Sequence, residues 1–230
     1  MRRVGADDGF QIELRITDRL TPVQQEVVVG AAERWVKLVR GPAGMVQEVG
    51  GTKVRGLLVH VTASFGKHGG VVASTQSVRK WPVGPLAGLP RVVKIEFDTA
   101  ELDELQEDGR LGDVAVHELA HALGFGVVWR DRKLVEKDAA GQLVFRGTMA
   151  MQEYARLRGA VSPVPVPIDE GIGKSDDHWQ EKTFAPESMT PTVHKASRPL
   201  SRITVSSLGD LGYAVSLDAA DPFKLAPPVK

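Results

Sequence analysis

Apolar and polar positions alternate from Phe10 to Ile16, the period of a strand with one buried face. Thr21 then stands before Pro22 and three residues ahead of Gln24, the arrangement of a capped helix start with a capping box. Val23, Val27, Ala31, Trp35 and Leu38 follow at helical spacing, so the helix is expected to lay that side on a sheet. Leu57 to Thr62 and Val71 to Ser77 read as two further strands, and Val92 to Phe97 as another. Residues 81 to 90, with three prolines and two glycines, break the pattern as an irregular loop. The acidic stretch 101 to 108 reads as a short solvated helix, after which Asp113 is expected to cap the next one. Residues 131 to 142 are polar and expected to be a surface loop. Met149 to Arg158 reads as a helix with Met149, Tyr154 and Leu157 on or near its buried side. Val161 to Pro167 alternates valine with proline and should be extended. Ser201 is expected to cap a last helix with Ile203, Val205, Leu208 and Leu211 on its apolar side, ended by Gly212. The tail from Asp221 should be peripheral.

One stretch of this pattern carries chemistry. Residues 114 to 126 read Val-Ala-Val-His-Glu-Leu-Ala-His-Ala-Leu-Gly-Phe-Gly, and helical geometry puts His117 and His121 one turn apart on one face. Two imidazoles so placed can bind one metal ion. The residues around them are apolar on nearly every side, so the helix is expected to be buried. Burying two imidazoles and a carboxylate without partners would cost several kcal/mol, a penalty that a bound cation removes. Glu118 lies about 100° further round the helix, beside such a metal and not on it. There it could take a proton from water whose pKa zinc lowers to about 7. Gly124 follows three residues after His121, where a helix that stops sharply needs a residue tolerant of positive φ.

Composition narrows the field without adding to it. The 230 residues balance 29 lysines and arginines against 29 aspartates and glutamates, and no long apolar run occurs. Neither a nucleic-acid footprint nor a transmembrane segment is expected. There is no cysteine, which excludes disulfides, thiolate ligands and a thiol nucleophile. Arg2 and Arg3 precede Val-Gly-Ala-Asp-Asp, which cannot serve as the apolar core of a signal peptide. Without repeats or low-complexity segments, the reading is one domain, 1–230, in two sequential lobes of about 1–126 and about 127–220, with a tail at 221–230.

A metal held by two histidines needs a third protein ligand, and the residues alone leave it open. His60 sits on a strand and His68 between glycines, settings in which histidines are usually structural or exposed. Glu153, on the helix downstream, matches another way of completing such a site, and His178 and His194 follow later.

His178 stands in Asp-Asp-His-Trp-Gln-Glu-Lys-Thr-Phe-Ala-Pro-Glu-Ser-Met-Thr, and here the sequence resembles the leishmanolysin-like zinc peptidases, a metzincin branch of family M8. The likeness rests on His117 to Gly126, on His178-Trp179, on Glu187-Ser188-Met189-Thr190 and on residues 200 to 215. It reaches upstream through Ala31 to Trp35 and the strand ending at Asp98. In the compact form of that signature a histidine comes three residues after the glycine, but here that position is Val127. In this branch a long insertion precedes the third histidine. The resemblance implies that His117, His121 and His178 bind one zinc ion, that Glu118 is the catalytic base, and that Met189 packs beneath the metal in a Met-turn. It implies an α+β fold, with an N-terminal lobe of mixed twisted sheet and two long helices, a smaller irregular and helical C-terminal lobe, and the active-site cleft between them. Because the chain has no cysteine, the simpler bacterial-type members are the compatible ones.

The expected function is a zinc-dependent endopeptidase acting on protein or peptide substrates, and the resemblance implies that residues 71 to 77 pair with extended substrate. Two other readings stand beside it: a zinc hydrolase of small-molecule amides or esters, and a binding or adhesion module with structural zinc. Tyr154 and Tyr213, the only tyrosines, are expected to pack and not to meet the reaction. By resemblance the protein would be secreted, while the missing signal peptide keeps a cytoplasmic location open.

Overall fold

In the computed structural model, residues 1–41, 46–49, 51–64, 66, 70–84, 87–163, 165–169, 176–195 and 198–225 are described. The chain divides into two compact units, Met1–Leu123 and Gly124–Lys230.

The first unit is built on a mixed sheet. Its elements are β1 (Arg2–Val4), β2 (Gln11–Ile16), α1 (Pro22–Leu38), β3 (Val39–Arg40), β4 (Val46–Val49), β5 (Thr52–Ser64), β6 (Ala73–Lys80), β7 (Pro90–Asp98), α2 (Thr99–Glu107) and α3 (Leu111–Ala122). The strand order is β1-β2-β5-β7-β6, with β4 paired to β5. β2, β5 and β7 run parallel, whereas β6 is antiparallel to β7 and forms the edge. Strands β2 and β5 form where expected, but β2 lacks the exposed face that its alternation suggests: Gln11 and Glu13 are buried as well as Ile12 and Leu14. In β5 Leu57, Leu58, Val59 and Val61 are all buried, joined by Val93 and Ile95 of β7. Strand β6 starts two residues later than its sequence indicates, at Ala73, and runs on to Lys80, leaving Val71 exposed.

Helix α1 starts as its sequence requires, with the Gln24 amide nitrogen donating to Thr21 Oγ1 at 3.3 Å and the Thr21 amide donating to Gln24 Oε1 at 2.9 Å. Such a cap contributes about 1 kcal/mol. The buried stripe differs from the expected one, because Val23 is exposed while Gln24, Val28, Ala31, Ala32, Trp35 and Leu38 face inward. Gln24 turns in for a physical reason: besides capping, it donates to Asp103 at 3.1 Å. Trp35, fully buried, donates its indole N–H to the carbonyl of Val116 at 2.9 Å and so joins α1 to α3.

The second unit contains β8 (Val135–Lys137), β9 (Leu143–Phe145), α4 (Thr148–Arg158), β10 (Val166–Pro167), α5 (Glu181–Phe184), α6 (Arg202–Asp210), β11 (Ala214–Val215) and a 3-10 turn at Leu217–Ala219. Strand β8 falls inside the stretch expected to be loop. It pairs with β9 through a turn in which Asp138 Oδ1 accepts from the amides of Ala140 and Gln142, both at 2.9 Å. This strand has little apolar alternation, so only its pairing reveals it. Helix α6 has the expected Ser201 cap, and Ile203, Val205 and Leu208 are fully buried. At its other end Asp210 accepts the amides of Met149 and Ala150 at 2.8 and 3.0 Å, capping α4 from a distant part of the chain. Burial pushes the Asp210 carboxyl upward, against those two hydrogen bonds. Among the described residues no helix is long and apolar enough to cross a membrane.

Candidate metal centre

Helix α3 is buried over most of its length, and that burial includes His117, Glu118 and His121. Its N-cap is Arg110, which makes no side-chain capping bond; Asp113 lies instead in the first turn. That corrects the capping role expected of Asp113, whose charge still sits where a helix dipole favours a carboxylate. One turn apart, His117 and His121 bring their Nε2 atoms to 3.1 Å, with the rings edge-to-face. The helix ends at Ala122, and Gly124 takes φ +107° as a sharp stop requires. The Glu118 carboxylate is gripped from the sheet: Thr75 Oγ1 of β6 lies 2.6 Å from Oε2 and 3.0 Å from the Glu118 carbonyl oxygen.

His178 is seated by its neighbours in the second unit. Its carbonyl accepts the Asp169 amide at 2.9 Å, and the Trp179 amide donates to the carbonyl of Met189 at 2.9 Å. Trp179 is fully buried against Phe125 and Trp129, each with ring centroids 5.0 Å away, and its indole donates to Thr204 Oγ1 at 2.8 Å. Thr204 in turn donates to Glu187. Glu187, fully buried, also accepts the Met189 amide at 2.5 Å, the Ser201 amide at 3.1 Å and the Ser201 hydroxyl at 2.6 Å. Burial pushes the Glu187 carboxyl up, while the bonds from Ser201, Thr204 and Met189 pull it back. One buried carboxylate thus ties together the segments that carry His178 and Met189, which is itself fully buried. Close approach matters as well: at Gly126, φ +72°, a Cβ would stand 2.3 Å from Asp177 Cβ and 2.5 Å from the Asp177 carbonyl oxygen.

His117, His121 and His178 form a three-histidine group that could hold a metal ion, with ligand atoms within 4.8 Å of one another. The donor chemistry suits zinc. Bonds of about 2.0–2.1 Å in tetrahedral geometry separate ligand nitrogens by roughly 3.3 Å; the His117–His121 pair, at 3.1 Å, meets that spacing, and the whole group falls within 4.8 Å. Asp177 Oδ1 lies 2.7 Å from His178 Nδ1, so a carboxylate stands beside this imidazole.

Of the rival ligands, His194 and Glu153 are engaged elsewhere. His60 lies half-buried on β5, its pKa lowered by burial and by Arg15, and is not in the group. His194 Nε2 is 2.5 Å from Glu181 Oε1. His68 lies outside the described residues. Glu153 is bound by Arg202 at 3.0 and 3.1 Å and by Arg156 at 2.9 Å. Burial raises its carboxyl, but those hydrogen bonds win and hold it below the usual glutamate range. A depressed folded pKa adds stability above the unfolded value and loses it as pH falls through the folded one. Wild type should therefore lose up to about 1 kcal/mol more than Glu153→Gln between about pH 5 and pH 3, read by denaturant unfolding. Equal losses would show that the pair is screened.

Sequence reading missed three contributors: Thr75, Glu187 as a network centre, and Gly126 as a seat for Asp177. Glu187 and Gly126 were visible only as motif letters, and Thr75 carried no signal until strand register placed it. Tyr154 is buried against Phe184, with ring centroids 5.4 Å apart, and Tyr213 is buried too.

A mixed α+β chain with a histidine group able to hold a metal is thereby defined, and it is similar in part to a metallopeptidase. In an alignment 129 residues long that covers 46% of this chain, it is 32% identical to the human ciliated left-right organizer metallopeptidase. The matched stretch spans 16% of that protein. No family model matches the chain.

Proposed function

We propose that this chain is a zinc-dependent endopeptidase of the leishmanolysin-like, metzincin type. The observation that carries the reading is a buried carboxylate, Glu118, flanked on one helix by two imidazoles that converge with a third. The partial likeness to a metallopeptidase supports it. In this reading His117, His121 and His178 hold the metal. Zinc in that place supplies Lewis acidity, polarising a carbonyl and lowering the pKa of water toward about 7.

The chain's own residues do the rest. Glu118 takes a proton from the attacking water as the water oxygen adds to the scissile carbonyl carbon. It then delivers that proton to the leaving amine as the C–N bond breaks. The edge strand β6 offers main-chain donors and acceptors on which an extended peptide can pair. Gly124 ends the metal-binding helix, and Met189 is the methionine of the turn beneath the metal.

Incubation with a mixed peptide library tests the proposal. Cleavage should appear in the zinc-loaded protein, vanish on chelation and return with zinc. A zinc-loaded protein that leaves every peptide intact while hydrolysing an acyl-amide would overturn the peptidase reading.

A further inference from the structure

The core-facing row across the sheet reads Ile16, Val61, Ile95 and Thr75, residue by residue in register from β2 to the edge strand. Three apolar side chains are followed by a hydroxyl. A valine there would continue the row with the same shape, so the position calls for an explanation in terms of what the hydroxyl meets. It meets one residue twice: Glu118 Oε2 at 2.6 Å and the Glu118 carbonyl oxygen at 3.0 Å.

We propose that Thr75 is the positioning residue for the catalytic base, a role that rests on the peptidase reading of Glu118. A glutamate side chain has three rotatable bonds, and a base must sit within hydrogen-bond reach of the proton that it takes. The bond of 2.6 Å is in the range of a hydroxyl donating to an ionised carboxylate, about twice the strength of a neutral pair. Its one proton serves one acceptor at a time, and the nearby carbonyl keeps the hydroxyl partnered when it rotates away from Oε2. Thr75 also belongs to the edge strand. Ser74 and Gln76, its neighbours, are exposed, while Thr75 turns toward α3. The strand on which an extended peptide would pair therefore holds the base as well, so the register of the substrate and the position of the carboxylate share one backbone.

The test compares Thr75→Val with Thr75→Ser at equal zinc content. Valine keeps the shape and the main chain but removes the hydroxyl, so kcat should fall about 10- to 100-fold with KM nearly unchanged. Serine should restore kcat to within about threefold. A valine variant with wild-type kcat would overturn the proposal, as would valine and serine variants that lose kcat, KM and thermal stability alike. A second readout needs no activity. Melting temperatures of metal-free wild type, Thr75→Val, Glu118→Ala and the double variant form a cycle. The double variant should lose less than the two single losses together, and strict additivity would refute the contact. Failure of the peptidase reading would show separately, as wild type that cleaves no peptide, and the cycle would still decide whether Thr75 holds Glu118.

Discussion

Glu118→Gln should lower kcat/KM for peptide cleavage by about 10³-fold while metal content stays at the wild-type level. General acid–base catalysis contributes about 10²- to 10⁴-fold. In the mechanism proposed above, one carboxylate acts twice, first on the attacking water and then on the leaving amine. Glutamine has nearly the same shape and keeps an oxygen for the Thr75 hydroxyl, which lies 2.6 Å from Oε2 in the wild type. What it loses is the ability to take a proton at neutral pH. Because Glu118 lies beside the histidines in the helix and is not in their group, the three imidazoles and their capacity to hold a metal should be undisturbed. Measured side by side, an inactive variant with full metal supports the assignment. A variant with activity within tenfold of wild type would place the base elsewhere.

Gly126→Ala should lower stability by about 3 kcal/mol or more and weaken metal binding with it. Two effects add at this residue. An alanine at φ +72° carries left-handed strain of about 1–2 kcal/mol. Its Cβ would also overlap the backbone and Cβ of Asp177 at 2.3 to 2.6 Å, which no rotamer change can relieve. The segment holding Asp177 must then shift, and His178 is the next residue. For a protein of this size, 3 kcal/mol corresponds to roughly 6–12 °C in melting temperature. Gly141→Ala separates the two effects, because Gly141 has φ +80° but nothing within 4 Å of where a Cβ would stand. It should cost only the strain and leave metal affinity unchanged. If Gly126→Ala behaved like Gly141→Ala in both thermal unfolding and metal titration, the close approach to Asp177 would have no role.

Several local features were legible in the residues because their causes are local. The capping box of Thr21 and Gln24, the Ser201 cap and the positive φ of Gly124 each depend on a few neighbouring bonds. Strands β2, β5 and β7 announce themselves by their apolar residues, although consecutive residues of each are buried and the sheet is covered more fully than alternation alone indicates. Where a tertiary bond overrides periodicity, the reading fails. Val23 is exposed because Gln24 turns inward to Asp103, and Asp113 is not a cap because the helix starts before it. Strand β8 was unreadable because its pairing with β9, and not its apolar content, makes it a strand.

The candidate site divides in the same way. Sequence by itself determined that His117 and His121 share a helix face with Glu118 beside them, because helical pitch is a property of the local chain. It could not choose among His60, His68, Glu153, His178 and His194 from the residues alone, since ligand convergence depends on where distant segments pack. Only the tertiary structure put His178 in the three-histidine group and set Glu153 and His194 against other partners. Only strand register brought Thr75 to Glu118, and only the approach of Asp177 made Gly126 more than a turn residue. Those contacts join residues far apart in the chain, and no spacing within one element encodes them.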